Sequence, residues 1–380
     1  MRQQLGISIA MTTYNGASYL SDQLDSLASQ QHLPSELVIA DDGSTDGTIT
    51  LVEDFAETAP FPVRLHRNPR KLGYKANFLH VAGLCRHALI SFCDQDDIWR
   101  SDNLMKVAPC FDDPDVLMVF HNAQLVEADR RPISPFYADP PAPPLSERLS
   151  LAPWEFSYGF TQTFRASLLP AASEWQAVED HFYPGQKMGH DLFFFLVSSG
   201  LGPVRYLDEM LTDYRLHESN TIGSGKRTKP SLIERWRYRL ENRSESYRYL
   251  GHVSALDAAL FNRLSQLDGV SSQFRERAGT AAAAWRILPN LYTDRMMMYS
   301  GTFRTRIAAF LRLSRVGAYG ETGFWTFGAK AMKKDLVLGV LLAPLVQRLG
   351  RQPFTGDDPA CRRGQASRLA LEHGILGLSA

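Results

Sequence analysis

The chain has 380 residues, of which 41 are basic and 41 acidic, and 44% are hydrophobic, so its formal net charge is zero. These fractions are typical of a globular protein, and the balanced charge gives no indication of a nucleic-acid partner. The length suffices for two domains or for one large α/β domain with an extension. No apolar run reaches the roughly 18 residues that a membrane-spanning helix needs, since the run at 336–346 is too short.

The N-terminus and the cysteines indicate the cellular compartment. Residues 1–5 lead directly into a predicted strand, without the charged and then apolar segments of a secretory signal. The cysteines show neither paired metal-ligand spacing nor a disulfide framework, which favours free thiols in a reducing cytosol. We therefore expect a cytoplasmic protein. The four cysteines are Cys85, Cys93, Cys110 and Cys361.

Strand, loop and helix patterns alternate four times in about the first hundred residues. This alternation predicts an α/β fold with a mostly parallel sheet and helices on both faces. In such sheets ligands bind at the carboxyl ends of the strands, where loops 12–16, 41–48 and 94–97 would come together. The predicted strands of this part are residues 5–11, 37–40, 62–66 and 89–93.

The second half is less regular. Prolines are dense between residues 130 and 153, which favours a loop or lid. From about residue 231 the pattern changes to arginine-rich amphipathic helices. The predicted elements between these regions and around them are strands at 116–121 and 160–164, helices at 166–175 and 192–197, and closing strands at 204–207 and 210–216.

An acidic cluster ends the fourth predicted strand. Asp94, Asp96 and Asp97 place three carboxylates within four residues. Like charges this close raise one another's pKa, and a hard cation such as Mg²⁺ or Mn²⁺ removes that cost. The alternative is a solvated acidic turn that caps a helix beginning near residues 101–102.

The loop after the second predicted strand has two interpretations as well. Ser44 or Asp46 is an adequate helix cap, and the glycines supply positive φ. Alternatively, a carboxylate of this loop bonds a ribose hydroxyl or a base N–H, with free amides at the helix start for polar ligand atoms.

Taken together, these motifs resemble the family 2 glycosyltransferases with the GT-A fold, over roughly residues 5–225. The resemblance is carried by Thr-Thr-Tyr-Asn-Gly at 12–16, Asp-Asp-Gly-Ser-Thr-Asp-Gly-Thr at 41–48, the segment 68–77 and Cys-Asp-Gln-Asp-Asp-Ile-Trp at 93–99. Gly-His-Asp at 189–191, Leu-Asp-Glu at 207–209 and Tyr-Arg-Leu-His at 214–217 resemble the bacterial rhamnosyltransferase-like branch. That branch often carries two tryptophans after His-Asp, whereas this chain has Leu192 and Phe193, which leaves the acceptor less defined than the donor.

The resemblance implies a role for each matching residue. Asp94 and Asp96 would be the metal-binding pair, with Mg²⁺ or Mn²⁺ as cofactor, and His217 would approach the metal or diphosphate. Asp191 would be the general base that deprotonates the acceptor. The residues implied in nucleotide-sugar binding are Thr13, Tyr14, Asn15, Asp42, Lys71, Asn77, Asp94, Gln95 and Asp97.

Two of these roles have plain structural alternatives. Asp191 precedes an apolar helix, so His190 and Asp191 could simply cap it. His217 follows a predicted strand, where a lone histidine is often structural, and imidazole is a less usual ligand for a hard ion.

We expect residues 1–225 to form the catalytic domain and residues 226–380 a helical, basic extension. Between residues 226 and 351 basic residues outnumber acidic ones by roughly two to one. Aromatic and arginine residues alternate at 235–250, and lysines precede the apolar run at 336–346, so these helices either lie on anionic lipid at the inner face of the membrane or pack on the catalytic domain.

The expected activity is inverting, metal-dependent transfer of a sugar from a nucleotide-sugar donor to a surface polysaccharide or glycolipid. The resemblance favours rhamnose from a dTDP donor. Two other functions stay open: a binding protein on the same fold without catalysis, and a nucleotidyltransferase. The latter usually has a glycine-rich basic phosphate loop near its first strand, and residues 12–16 contain no lysine or arginine.

Overall fold

The computed structural model describes residues 5–217, 243–320 and 324–344. A sheet of ten strands lies at the centre, helices pack on both faces, and a helical region follows the last strand. The predicted α/β fold, with a mostly parallel sheet flanked by helices and a mainly helical C-terminal region, is confirmed. The division at residues 225 and 226 lies outside the described residues and stays a prediction.

The first half of the sheet is parallel, in the order β3-β2-β1-β4. Every residue of β2 and β4 is buried, as expected for strands that helices cover on both faces. The carboxyl ends of β1, β2 and β4 therefore meet at one side of the sheet, called the carboxyl edge below. The bounds are β1 (Ile7–Thr13), α1 (Leu20–Ala28), β2 (Glu36–Asp41), α2 (Thr48–Thr58), β3 (Val63–Arg67), α3 (Tyr74–Leu84) and β4 (Leu89–Cys93).

The second half of the sheet is mixed. Strand β9 runs antiparallel between β4 and β6, and β10 runs parallel to β6. Because β9 is antiparallel, its first residue, Gln162, lies at the carboxyl edge. The bounds are β5 (Ile98–Trp99), α4 (Asn103–Val107), β6 (Met118–Val126), β7 (Pro132–Pro135), β8 (Leu145–Ser146), β9 (Gln162–Arg165), α5 (His190–Leu201) and β10 (Val204–Arg215).

Three predicted elements differ from the structure. The two closing strands are one strand, β10, whose register with β6 shifts between Leu207 and Thr212 around the exposed acids of 208–209. The proline-rich stretch contains the short strands β7 and β8. The predicted helix at 166–175 is a 3-10 helix, Ala166–Ala177, with Pro170 inside it; proline has no N–H to complete an α-helical ladder.

The C-terminal helices share a core with the sheet. The ring of Phe261 lies directly against Gly200 of α5, and Trp285 is buried beside it. Tyr247 and Leu250 are also buried, so the described part of the aromatic and arginine-rich stretch packs inward. The bounds are α6 (Arg243–Leu264), α7 (Ser272–Trp285), α8 (Leu288–Ser300), α9 (Phe303–Arg315), α10 (Gly328–Lys334) and a π-helix, Asp335–Leu341.

Candidate active site

The loop after β1 is shaped by side chains from the loop after β2. Asn15 has a φ of 47°, in the left-handed region that asparagine adopts more readily than most residues. Its Oδ1 accepts a hydrogen bond from the Thr45 N–H at 2.8 Å, and its own N–H donates to Ser44 Oγ at 2.9 Å. Asn15 thus joins the two loops at the carboxyl edge.

Tyr14 projects from the same loop and is 44% exposed. Gln95 holds its backbone, because Gln95 Oε1 accepts from the Tyr14 N–H at 2.9 Å and Nε2 donates to the Tyr14 carbonyl at 3.2 Å. Lys71 Nζ lies 3.4 Å from the centroid of the Tyr14 ring, a cation–π contact. Three residues implied in nucleotide binding therefore lie together, with an aromatic face and a cation open to solvent.

The polar side chains at the ends of β1 and β2 are mostly buried and form hydrogen bonds within the protein. Thr13 Oγ1 donates to Asp41 Oδ2 at 2.8 Å. Asp42 accepts from the N–H groups of Leu72 and Gly73, at 2.6 and 2.8 Å, which fastens loop 68–73 to the strand. Asp42 is 4% and Thr13 2% exposed, so in this conformation both shape the pocket wall more than they present polar atoms to it.

Asn77 is also a buried support. Its Nδ2 donates to the Ala40 carbonyl at 2.8 Å, its Oδ1 accepts from Asn68 at 2.8 Å, and Asn68 also donates to Asp42 Oδ1. Asn77 is 1% exposed, so it offers little surface to a nucleotide. Its effect on the site would pass through Asn68, which bonds both Asn77 and Asp42. The cap of α2 is Gly47, without a side-chain cap hydrogen bond, so neither Ser44 nor Asp46 is the cap residue; Asp46 Oδ1 accepts from the Thr48 N–H at 3.0 Å from one residue further out.

Asp94, Asp96 and Asp97 converge at the end of β4. Each offers one oxygen, and these oxygens lie within 4.8 Å of one another. Burial, followed by the Asp96 and Asp191 carboxylates, raises the pKa of Asp94 to about 8. Burial and the neighbouring carboxylates also raise the pKa of Asp97 well above its usual range. The helix-cap alternative is wrong, because β5 intervenes and α4 begins only at Asn103.

This cluster fits a divalent cation. Asp97 is wholly buried; its Oδ1 accepts from the Arg215 N–H at 3.3 Å, and its Oδ2 has no hydrogen-bond partner within the described part of the chain. Three carboxylates are the donors that a hard cation prefers, and a cation would offset the burial of their charge. Asp94 and Asp96, which are partly exposed, would hold it, with Asp97 behind them.

His217 reaches the cluster from the segment after β10. Its Nε2 lies 2.9 Å from Asp96 Oδ2, and its ring stacks on Tyr19 with centroids 4.5 Å apart. Arg215 also contacts Tyr19, since its guanidinium carbon lies 4.9 Å from the centroid of the Tyr19 ring. Its Nη2 lies 2.9 Å from Asp22 Oδ2. His217 is therefore held beside Asp96, and its approach to a metal or diphosphate stays a prediction.

Asp191 lies in the first turn of α5. Its Oδ1 accepts from the Leu192 N–H at 2.9 Å. The cap of this helix is Gly189, without a side-chain cap hydrogen bond, so the capping alternative for His190 and Asp191 is wrong. Burial raises the pKa of Asp191, and the Leu192 hydrogen bond and the Lys75 ammonium oppose the rise. After burial and the Asp96 carboxylate, the Asp191 carboxylate also helps to raise the pKa of Asp94, so its charge acts on the acidic cluster.

Gly159 and His190 fix the position of Asp191. A Cβ at Gly159 would meet His190 Nε2 at 2.7 Å and the Asp191 Cβ at 3.5 Å. The His190 ring stacks on Phe78 at 4.0 Å, and burial lowers the pKa of His190 to about 3, so it is neutral at physiological pH. Glycine and a neutral ring let the loop before β9 approach the start of α5 closely.

Four residues that contact or influence the predicted site residues were not predicted from the sequence. They are Tyr19, Asp22, Lys75 and Arg215. Tyr19 and Asp22 lie on or near α1, whose helical spacing gave no sign of a role at the edge. Lys75 Nζ donates to the Lys187 carbonyl at 2.6 Å and lies near Asp191. The available signal was the position of Arg215, two residues before His217 in a motif already singled out.

The first part of the chain is similar in sequence to known glycosyltransferases. Residues 8–169, which hold β1 to β9 and all the loops of the carboxyl edge except that of Asp191 and His217, match the family model described as Glycosyl transferase family 2. The chain is 28% identical over 224 residues to an uncharacterized glycosyltransferase of Nostoc sp., covering 56% of this chain and 66% of that protein. It is 32% identical over 117 residues to a dTDP-rhamnosyl transferase of Shigella flexneri, covering 30% of this chain and 38% of that protein.

Among solved structures, Staphylococcus aureus TarS 1-349 in complex with UDP-GlcNAc aligns over 83% of this chain and 93% of its own, with 16% identity and a TM-score of 0.47. The matches to the two curated relatives cover about two thirds or less of each relative's own length. The resemblance to family 2 glycosyltransferases is thus confirmed for the segment 8–169, and the rhamnosyltransferase-like branch stays a prediction.

Proposed function

We propose that this protein is a glycosyltransferase that moves a sugar from a nucleoside-diphosphate donor to a hydroxyl group of an acceptor. The observation that carries the proposal is the convergence of the Asp94, Asp96 and Asp97 carboxylates at the edge where Tyr14 and Lys71 are exposed. Asp191, whose charge helps to raise the pKa of Asp94, would supply the base beside this candidate metal site. The family match of residues 8–169 supports the same activity.

The side chains of the site suit a single displacement. The acceptor oxygen attacks the anomeric carbon of the donor sugar while the bond from that carbon to the diphosphate oxygen breaks, and the diphosphate leaves with the bonding electrons. Asp191 takes the acceptor proton, and because burial raises its pKa it is a stronger base than an exposed aspartate. Attack from the side opposite the leaving group inverts the anomeric centre.

A bound Mg²⁺ or Mn²⁺ would supply charge neutralisation for the departing diphosphate. Asp94 and Asp96 would hold the ion, and His217 would orient Asp96 or act as a further ligand. Asp97 would keep the loop in place through the Arg215 backbone. Asn15 and Gln95 would fix the loop that carries Tyr14, and Lys71 would add a cation near the nucleotide phosphates.

For the substrates, we propose dTDP-rhamnose as donor and a growing surface polysaccharide or lipid-linked saccharide as acceptor. The donor rests on the similarity to the Shigella flexneri dTDP-rhamnosyl transferase and on the Gly-His-Asp and Tyr-Arg-Leu-His motifs. Of the alternatives, binding without catalysis would leave the candidate base, Asp191, without a purpose. A nucleotidyltransferase is disfavoured by the loop after β1, whose amides bond Ser44 and Gln95 side chains.

The experiment that tests this function uses the full-length protein, a panel of nucleotide sugars and Mg²⁺ or Mn²⁺, and measures released nucleoside diphosphate. We expect release with one donor when acceptor is present. Asp191→Asn should still bind the donor, measured by calorimetry, and lose transfer, whereas Asp54→Asn, at an exposed position on α2, should retain both. Full transfer by Asp191→Asn would remove the base assignment, and no release with any donor would remove the function.

A further inference from the structure

Helix α9 exposes a stripe of large apolar side chains. Phe303, Ile307 and Leu311 recur every four residues, so they lie along one side of the helix, and they are 55%, 36% and 44% exposed. The same helix already packs Ala309 and Leu313 into the core. A second apolar stripe that faces solvent does not stabilise the fold, and exposed apolar patches of this kind mark surfaces that bind something.

Residues 328–344 also expose large apolar side chains, and they lie beside α9. The Tyr319 hydroxyl, just after α9, donates to Asp335 Oδ2 at 3.1 Å, and the Phe327 N–H donates to the Ala318 carbonyl at 2.7 Å. We call the exposed side of α9 together with residues 328–344 the apolar-basic surface. Its large exposed side chains in the second segment are Met332, Leu336, Val337, Leu341 and Leu342, between 36% and 58% exposed.

The exposed charges of this surface have one sign. On α9 and residues 328–344, the acidic side chain present is Asp335, which is wholly buried and bonded to Arg295 at 2.9 Å. Every exposed charged side chain of these described segments is therefore a cation. They are Arg304, Arg315, Lys330 and Lys333, together with Arg312, whose guanidinium is paired with Asp294 of α8.

We propose that the apolar-basic surface docks on an anionic lipid bilayer. A bilayer surface offers both things that this surface complements: an apolar layer for the stripe and negative headgroups for the cations. A second copy of the chain fits less well, because the same surface would bring cations against cations. Residues 345–380 fit less well too, since they carry five arginines against three acidic residues and no lysine.

This placement differs from the one that the sequence favoured. Trp236, Tyr238 and Leu240 lie outside the described residues, and Tyr247 and Leu250 are core residues. The lysines before the apolar run at 336–346 are part of the surface, and α9 is its new component. Among the described residues no helix is both long and apolar enough to cross a bilayer, which agrees with contact from one side.

Flotation of full-length protein with vesicles tests the proposal. One set of vesicles contains equal parts of phosphatidylglycerol and phosphatidylcholine, and the other phosphatidylcholine alone. We expect the protein to float with the anionic vesicles at low salt, to bind them less as salt rises, and to bind the neutral vesicles weakly. Each of Lys330→Gln and Lys333→Gln should lower the partition coefficient about fivefold, because a cation near an anionic surface contributes about 1 kcal/mol.

The apolar contribution has its own pair of variants. Phe303→Ser with Ile307→Ser should lower partitioning at least tenfold, since both side chains would leave the apolar layer. Leu33→Ser with Ile133→Ser, at exposed positions of the sheet region, and Arg86→Gln are the matched controls and should bind as the unaltered protein does. Thermal unfolding checks that all variants are folded.

Three results would overturn the proposal. The first is protein that stays at the bottom of the gradient with anionic vesicles at low salt. The second is equal partitioning of the Phe303→Ser, Ile307→Ser variant and its control. The third is a concentration-dependent dimer, seen by analytical ultracentrifugation, that the same two substitutions abolish, because the surface would then join two copies.

Discussion

The rings of Tyr19 and His217 stack with centroids 4.5 Å apart, which ties the start of α1 to the segment after β10. Because His217 Nε2 also lies 2.9 Å from Asp96 Oδ2, the stack holds an imidazole against a candidate metal ligand. The ring of Tyr19 thus contacts His217, which in turn contacts the candidate metal ligand Asp96.

We predict that Tyr19→Ala weakens Mn²⁺ binding about tenfold, since loss of an orienting partner typically costs a metal site 10- to 100-fold in affinity. Tyr19→Phe keeps the stacked ring and should bind Mn²⁺ as the unaltered protein does. Titration of the full-length protein with Mn²⁺, followed by electron paramagnetic resonance, measures the change. Unchanged affinity in both Tyr19→Ala and His217→Ala would show that this side of the cluster does not take part.

The Lys71 and Tyr14 pair gives a prediction about the nucleotide. Lys71→Ala should raise the dissociation constant for dTDP or UDP about two- to fivefold, because an exposed cation–π contact contributes about 0.5–1 kcal/mol and holds both groups in place. Lys71→Arg keeps the charge over the ring and should change it less. Calorimetry measures both constants, with Arg86→Ala as an exposed cation elsewhere. If Lys71→Ala and Arg86→Ala bind equally well, Lys71 has no role at the pocket.

Glu155 gives a prediction about pH. Burial raises the pKa of its carboxyl from 4.5 to about 8 in the folded protein. The folded state therefore holds this proton more tightly than the unfolded state, and the stability that it contributes is complete below about pH 4.5 and is lost as pH rises through about 8. Glu155→Gln removes this dependence, so its melting temperature should exceed that of the unaltered protein by several degrees at about pH 8 and by less at about pH 5.

The control for this prediction is Glu57→Gln, at an exposed position of α2, which should follow the unaltered protein at both pH values. Differential scanning calorimetry of the three proteins measures the melting temperatures. A gap between Glu155→Gln and the unaltered protein that stays constant with pH would contradict the prediction.

Two helical glycines form a matched pair for stability. A Cβ at Gly200 would press into the Phe261 ring, so Gly200→Ala should destabilise the protein by about 1–3 kcal/mol through overpacking. A Cβ at Gly83 of α3 meets nothing within 4 Å, so Gly83→Ala should stabilise by about 0.5–1 kcal/mol through helix propensity. Urea denaturation measures both. Equal effects of the two changes would show that α6 does not pack on α5 as described.

The sequence predicted the sheet and its polar edge well, because apolar runs of strand length and the loops after them are local signals. Asp94 and Asp96 were recognisable from spacing alone. The support around them was not: Thr13, Asn77 and Asp97 are buried and bonded to protein, and only the packing of strands and loops shows this. The polar residues of a sequence motif do not by themselves indicate which side chains face solvent.

The helical half was predicted less well. Tyr247 and Leu250 stand in a run of alternating aromatic and basic residues, which is equally typical of a lipid-facing helix and of a helix packed on a core. Whether such a helix packs inward depends on the core residues that it meets. Here these include Phe193, Phe261 and Trp285, which come together only when distant parts of the chain fold. Long-range packing decided what local periodicity left open.

The antiparallel direction of β9 has a consequence for substrate choice. Since Gln162 lies at the carboxyl edge, the chain that arrives there is the proline-rich connection before β9, and Gln162 Nε2 donates to the Asp191 carbonyl at 3.1 Å. We expect changes in the length or rings of this connection, such as those at Phe136 and Tyr158, to alter which acceptor is accepted while the parallel strands keep their register. The antiparallel direction of β9 thus brings this connection beside Asp191 while the parallel strands β1, β2 and β4 supply the other loops of the carboxyl edge.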